Sequence, residues 1–274
     1  MKLARPLSLA LVACTGIWFA SQAVLAAPVE RHAPTILAQA ETDTAASGLS
    51  RQEVTERLDA VPVFAIVSED GTPILATVEN EGEKVQIASF WLDPNEAVKT
   101  IDQIKTRTPD IGSQARIVPL SLGYAFTVAE EQKENEGDLV FQVLPKASVV
   151  TEALDMVNQE SAEEELKEFP GVPLFYGESE EGVLTVESNG NEVVPFFFER
   201  ADLKAALDRA SSESPEVTQK TTIEVTTLEQ VVNSMLAPDA ENNVSKIAFV
   251  PSRSALESVQ TFSEDAPAEA PSAE

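Results

Sequence analysis

Apolar residues along the body of the chain fall into two spacings that predict strands and helices in a regular order. A helix over residues 51–58 leads into a strand opening with Val61-Pro62-Val63-Phe64. Asp70-Gly71 supplies hairpin-turn chemistry, and strands follow at 74–78 and 84–92. Asp93-Pro94-Asn95-Glu96 then offers an N-cap, a proline at the first helical position and a carboxylate three residues after the cap. Behind it Ala97, Val98, Ile101 and Ile104 share one helical face. A strand at 116–119, another helix, a strand at 139–144 ending at Pro145 and a helix at 147–157 complete the run.

The same order then returns. A helix at 161–169 precedes Val172-Pro173-Leu174-Phe175, a turn at Glu181-Gly182 and strands at 183–187 and 192–198. Leu203, Leu207 and Ala210 share a helical face, a strand follows at 222–225, and Thr227-Leu228-Glu229-Gln230 is a capping box. A strand at 247–250 ends at Pro251, and a helix covers 253–260. Val61–Phe64 and Gly71 match Val172–Phe175 and Gly182 at an offset of 111. Thr77-Val78-Glu79, Gly82, Val85 and Phe90 match Thr185-Val186-Glu187, Gly190, Val193 and Phe198 at 108. Leu144-Pro145 and Ser148 match Val250-Pro251 and Ser254 at 106. A falling offset with anchors in one order is what duplication and loop trimming leave. The expected fold is mixed α/β (α+β): two tandem lobes related by a pseudo-twofold, residues 50–158 and 159–262, each a mixed sheet packed with helices. Pro62 and Pro173 cannot donate to a ladder, which predicts that both opening strands lie at sheet edges or ends.

The ends read differently. Residues 1–26 carry Lys2 and Arg5, an apolar run and a Val24-Leu25-Ala26 close, the pattern of a cleaved secretory signal. Leu11-Val12-Ala13-Cys14 has the form of a lipoprotein box, but leaves a short apolar run before the cysteine. Residues 27–49 read as a flexible linker and 263–274 as a disordered acidic Pro/Ala tail. The body is therefore expected outside the cytoplasm, in a periplasm or an equivalent lumen.

Charge and rare residues narrow the chemistry. Lys and Arg number 19 against 46 Asp and Glu, a net charge of −27, so neither nucleic acid nor an anionic membrane is an expected partner. The single cysteine, Cys14, and the single histidine, His32, both precede the body. Catalysis through Cys or His, disulfides, and zinc or haem centres built on them are excluded from it. No metal or cofactor is expected. The acidic run 130–138 lacks the ligand order of a calcium loop and reads as a solvated loop. Asn243-Val244-Ser245 matches a glycosylation sequon, which matters only in a eukaryotic secretory route.

The order and duplication of these motifs resemble a known family. The Val-Pro-x-Phe strand, the aromatic third strand with its capped helix, Val118-Pro119-Leu120-Ser121-Leu122-Gly123 and Gly171-Val172-Pro173-Leu174-Phe175-Tyr176 are similar to the twenty-two-kilodalton subunit of the chloroplast inner-envelope import machinery. The cyanobacterial relatives with signal peptides are the nearer likeness, over roughly residues 50–260. The resemblance implies a two-lobed α/β protein with apolar grooves, a chaperone-like carrier of precursor or outer-membrane proteins, and no catalytic residues.

Val193-Val194-Pro195-Phe196-Phe197-Phe198 does not alternate. It reads either as a strand covered on both faces or as one whose second face lines an open groove. On the groove reading the candidate binding residues are Phe64, Phe90, Trp91, Phe175, Phe196 and Phe198, aromatics that suit varied apolar clients. Partners would be unfolded or precursor proteins, with outer-membrane β-barrel assembly components among them. A structural adaptor of a membrane translocation complex is the alternative. A carboxylate hydrolase built on Asp70, Glu79, Glu181 and Glu187 has least in its favour, since no motif places an acid and a base together.

Overall fold

The computed structural model describes residues 48–264, apart from 81–82, 135–138, 161–164, 189, 213–219 and 241. The expected signal peptide and nearly all of the expected linker and tail lie outside the described residues. Those described belong to one compact unit, Ile36–Glu274.

The first repeat comprises α1 (Arg51–Leu58), β1 (Pro62–Val67), β2 (Ala76–Asn80), β3 (Glu83–Trp91), α2 (Pro94–Arg107), α3 (Pro109–Gly112), β4 (Arg116–Ser121), α4 (Leu122–Glu134), β5 (Leu139–Leu144) and α5 (Ala147–Glu160). The second comprises β6 (Pro173–Ser179), β7 (Gly182–Val183), β8 (Val186–Ser188), β9 (Asn191–Phe197), α6 (Arg200–Ala210), β10 (Thr222–Thr227), α7 (Leu228–Leu236), a 3-10 turn (Asn242–Lys246), β11 (Ile247–Val250) and α8 (Arg253–Glu264). Caps set several boundaries. Ser50 and Glu53 close a capping box on α1, Asp93 accepts from Asn95 and Glu96 at the start of α2, and Thr227 accepts from Gln230 at the start of α7.

Each repeat builds a mixed sheet of the same topology: β4-β1-β3-β5 in the first, β10-β6-β9-β11 in the second. β1–β4 and β6–β10 are antiparallel, while β3–β5 and β9–β11 are parallel. Small contacts repeat as well. Leu122 N–H donates to Val61 O and Leu228 N–H to Val172 O, both at 2.8 Å. Register revises one correspondence. Phe64 faces Trp91 and Phe175 faces Phe197, so Trp91 and Phe197 are equivalent, and Phe90 answers to Phe196 rather than Phe198. Two residues were lost between Val193 and Phe197, and an even loss keeps every side chain on its face.

Packing joins the repeats rather than separating them. Val63, Ala65, Phe90 and Leu92 of one sheet and Leu174, Tyr176, Phe196 and Phe198 of the other share one core with α1, α4 and α7. The outer face of the first sheet (Phe64, Ile66, Trp91, Ile117) is covered by α2 and by α8 from the second repeat. Phe262 of α8 meets Phe64 edge-on, ring centroids 5.6 Å apart. The outer face of the second sheet (Phe175, Phe197) is covered by α6 and by α5 from the first repeat, through Val149, Ala153 and Met156. Each repeat's last helix thus closes the other's sheet. That reciprocity is what a twofold relation requires.

Three expectations change. β1 and β6 are central, not edge, strands; Pro62 and Pro173 are tolerated because each is the first strand residue, ahead of the pairing of β1 with β3 and of β6 with β9. No helix forms over the described residues 165–169. Pro170 disfavours helical backbone before it, and Asn158 of α5 holds Leu166 through a bond to its N–H (2.8 Å) and one to its carbonyl (3.0 Å). Residues 130–134, expected as loop, are the last turn of α4.

Phe262→Ala is expected to cost about 1–3 kcal/mol, below the range for losing a fully buried aromatic because Phe262 is only partly buried. Hydrogen exchange should show the loss in β1 and β4 ahead of β6 and β10. Equal acceleration in both sheets would mean that α8 does not selectively support the first.

Candidate functional site

All six candidate groove aromatics are core residues. Phe64 and Phe175 are fully buried, and the exposures of Phe90, Trp91, Phe196 and Phe198 run only from 5% to 9%. Phe64 and Trp91 lie under α2 and α8, Phe175 under α5 and α6, and Phe90, Phe196 and Phe198 in the shared core. The apolar run 193–198 is therefore mostly a strand covered on both faces. Aromatics hold it there: Tyr176 packs on Phe196 at 5.4 Å and Phe198 on Phe249 at 6.4 Å. The four carboxylates offered for hydrolysis are not brought together either. Asp70, Glu79, Glu181 and Glu187 are exposed, in turns and hairpin strands of two different sheets.

A feature absent from the sequence reading lies where the repeats meet. β3, β5, β9 and β11 end there, and α2, α5, α6 and α8 begin there, around a crevice bordered by Leu92, Asp93, Lys146, Phe198, Glu199 and Ser252. Asp93, 2% exposed, accepts from Asn95 N–H through Oδ1 at 2.7 Å, while its buried Oδ2 has no hydrogen bond. Glu199 is its counterpart ahead of α6 but makes no cap bond. Lys146 Nζ stands 3.7 Å from Asp93 Oδ2 and 3.6 Å from Glu199 Oε1, one cation between carboxylates of the two repeats. Beside it, an open depression of about 610 Å³ is lined by Glu152, Asp155, Met156 and Arg200, with Arg200 paired to Glu152 at 3.1 Å. Only the Asp93 cap was visible in sequence. The remaining signal is the pairing of Leu144-Pro145-Lys146 with Val250-Pro251-Ser252, which puts a lysine in one copy alone.

The arrangement is an electrostatic junction between the repeats. Burial, with repulsion from Asp202 and Asp93, raises the Glu199 carboxyl above its ordinary value against the pull of Lys146. Burial likewise raises Glu229, whose carboxylate accepts Val172 N–H at 3.3 Å. Among the described residues no group of three or more acids, histidines or cysteines is placed to hold a metal ion.

Charged Glu199 weakens the fold above its raised pKa, and protonation relieves that as pH falls through it. Glu199→Gln should therefore melt higher than the parent at neutral pH, with the gap closing on acidification. A constant gap would assign the effect to packing. Lys146→Met leaves Asp93 without its cation and should cost roughly 1–3 kcal/mol in denaturant unfolding, less than for a fully buried pair because the lysine is partly solvated.

Four likenesses bear on identity. The profile of the Tic22-like family matches residues 8–261. "Protein TIC 22-like, chloroplastic" of Arabidopsis thaliana is 26% identical over 208 residues, covering 74% of this chain and 62% of that protein's own length. Of solved structures, Anabaena Tic22 (protein transport) superposes with a TM-score of 0.64 at 21% identity, covering 78% of this chain and 97% of that one. Tic22 from Plasmodium falciparum does so at 0.61 and 19%, covering 78% and 99%. At such identities the superpositions establish the fold, two sheets packed with helices. The profile spans that fold and nearly the whole chain, and the chain belongs to the Tic22-like family.

Proposed function

We propose that this chain is a non-enzymatic protein-transport factor that holds precursor or non-native proteins outside the cytoplasm, in a periplasm. The observation carrying the reading is membership of the Tic22-like family, joined to the fold of Anabaena Tic22, a protein of protein transport. The secretory pattern at 1–26 supports an extracytoplasmic site of action, and outer-membrane proteins are clients available there. The net charge of −27 favours basic clients and disfavours anionic lipid.

A second reading has its own support. Burial of all six aromatics suits an adaptor that docks on one folded component of a translocation complex and opens no groove to unfolded chains. The two part in a light-scattering assay with a denatured outer-membrane β-barrel and a charge-matched acidic protein as control. The carrier is expected to suppress aggregation near a one-to-one ratio, beyond the control. Scattering equal to the control would leave the adaptor.

A further inference from the structure

The two repeats treat one equivalent edge differently. β5 and β11 are each the parallel partner at the end of a sheet. At β11 the edge is occupied: Arg57 of α1 donates to Ile247 O at 2.5 Å and Ser245 O at 2.7 Å. The equivalent segment that would serve β5 is residues 165–169, which form no helix and are pinned instead to Asn158. Among the described residues β5 has no counterpart to α1.

Its hydrogen-bonding groups follow from register. Leu92 N–H donates to Leu144 O, so the even-numbered carbonyls of β5 face β3, and the N–H and C=O groups of Leu139, Phe141 and Val143 face outward. Among the described residues nothing bonds to these outward groups. The side chains match. Phe141 and Val143 are half-buried where their equivalents Ile247 and Phe249 are buried, and Val140 is 40% exposed. Three of the other edges carry blunting devices: Pro119 and Arg116 on β4, Glu224 on β10, Arg57 against β11. Leu-Val-Phe-Gln-Val-Leu carries neither charge nor proline, the composition of a strand open to pairing.

We propose that the β5 edge is a docking surface for an extended polypeptide, which adds to the first sheet as a further strand. The occupant is a proline-free segment of a client chain with alternating apolar residues and basic flanks. Backbone pairing supplies binding with little demand on sequence, and the anionic surface favours the flanks. The proposal rests on the carrier reading and gives it a surface that the buried aromatics do not.

The probe is a labelled twelve-residue peptide of alternating Val and Thr with two lysines at each end, titrated by anisotropy against the purified chain. Saturable binding is expected, with new exchange protection at the Leu139, Phe141 and Val143 amides. Val143→Pro removes an outward donor without touching the β3 ladder and should weaken binding at least tenfold. Val140→Lys, which copies Lys246 just ahead of β11, should do the same if the proline variant fails to fold. Val186→Lys, exposed on β8, should leave affinity unchanged. Absence of saturable binding, or equal affinity in the folded β5 variants, overturns the proposal. So does a dimer in sedimentation that Val143→Pro dissolves, which would make a second copy the occupant. Full aggregation suppression by a variant that has lost the peptide overturns β5 as the client surface and leaves the carrier reading standing. Peptide binding without suppression by the parent chain removes the carrier reading and keeps the edge.

Discussion

Each sheet is apolar on both faces, and neither repeat has enough helix to cover both. Everything else in the molecule follows from that constraint. The inner faces turn toward one another over α1, α4 and α7, and the outer faces are closed by helices exchanged between repeats. The exchange is the reason for Phe262 against Phe64 in one outer core and for Met156 near Phe175 in the other. A repeat expressed by itself would present an uncovered apolar face, which is why the lobes are one folding unit and not two domains in series.

The same constraint gathers charge at the centre. Where closing helices cross, four strands end and four helices begin, so several free N–H groups point into one place. Asp93 and Glu199 stand ahead of two of those helices, where the helix dipole favours anions. Lys146 lies between them, at the position that Ser252 takes in the other copy. The repeat places two carboxylates at one junction, and a residue in which the copies differ there supplies the cation between them. The price of that arrangement is the raised Glu199 carboxyl.

Divergence also left the repeats unequal at their edges. Asn158 holds Leu166 by two hydrogen bonds ahead of Pro170, and among the described residues the helix that protects β11 in one half has no mate in the other. The asymmetry is local, a few hydrogen bonds and one proline, but among the described residues it leaves the outward backbone groups of β5 unpaired where those of β11 meet Arg57.

Much of this fold was legible in the sequence because its signals are local. Alternation, glycine turns, and the caps at Asp93 and Thr227 depend on neighbours a few residues away, and duplicated anchors such as Val61–Phe64 and Val172–Phe175 reveal the two sheets without any knowledge of their packing. The Tic22-like resemblance rests on the same anchors. What covers each strand was not legible. A run such as 193–198 states that both faces are apolar, but the identity of the covering helix is a long-range fact, and here the cover comes from the other repeat. Burial of the six aromatics, the central place of the Val-Pro strands, the Lys146 junction and the bare edge of β5 were therefore decided only in the tertiary structure. The physical reason is that hydrophobic burial is non-directional: it requires that a face be covered without specifying by what.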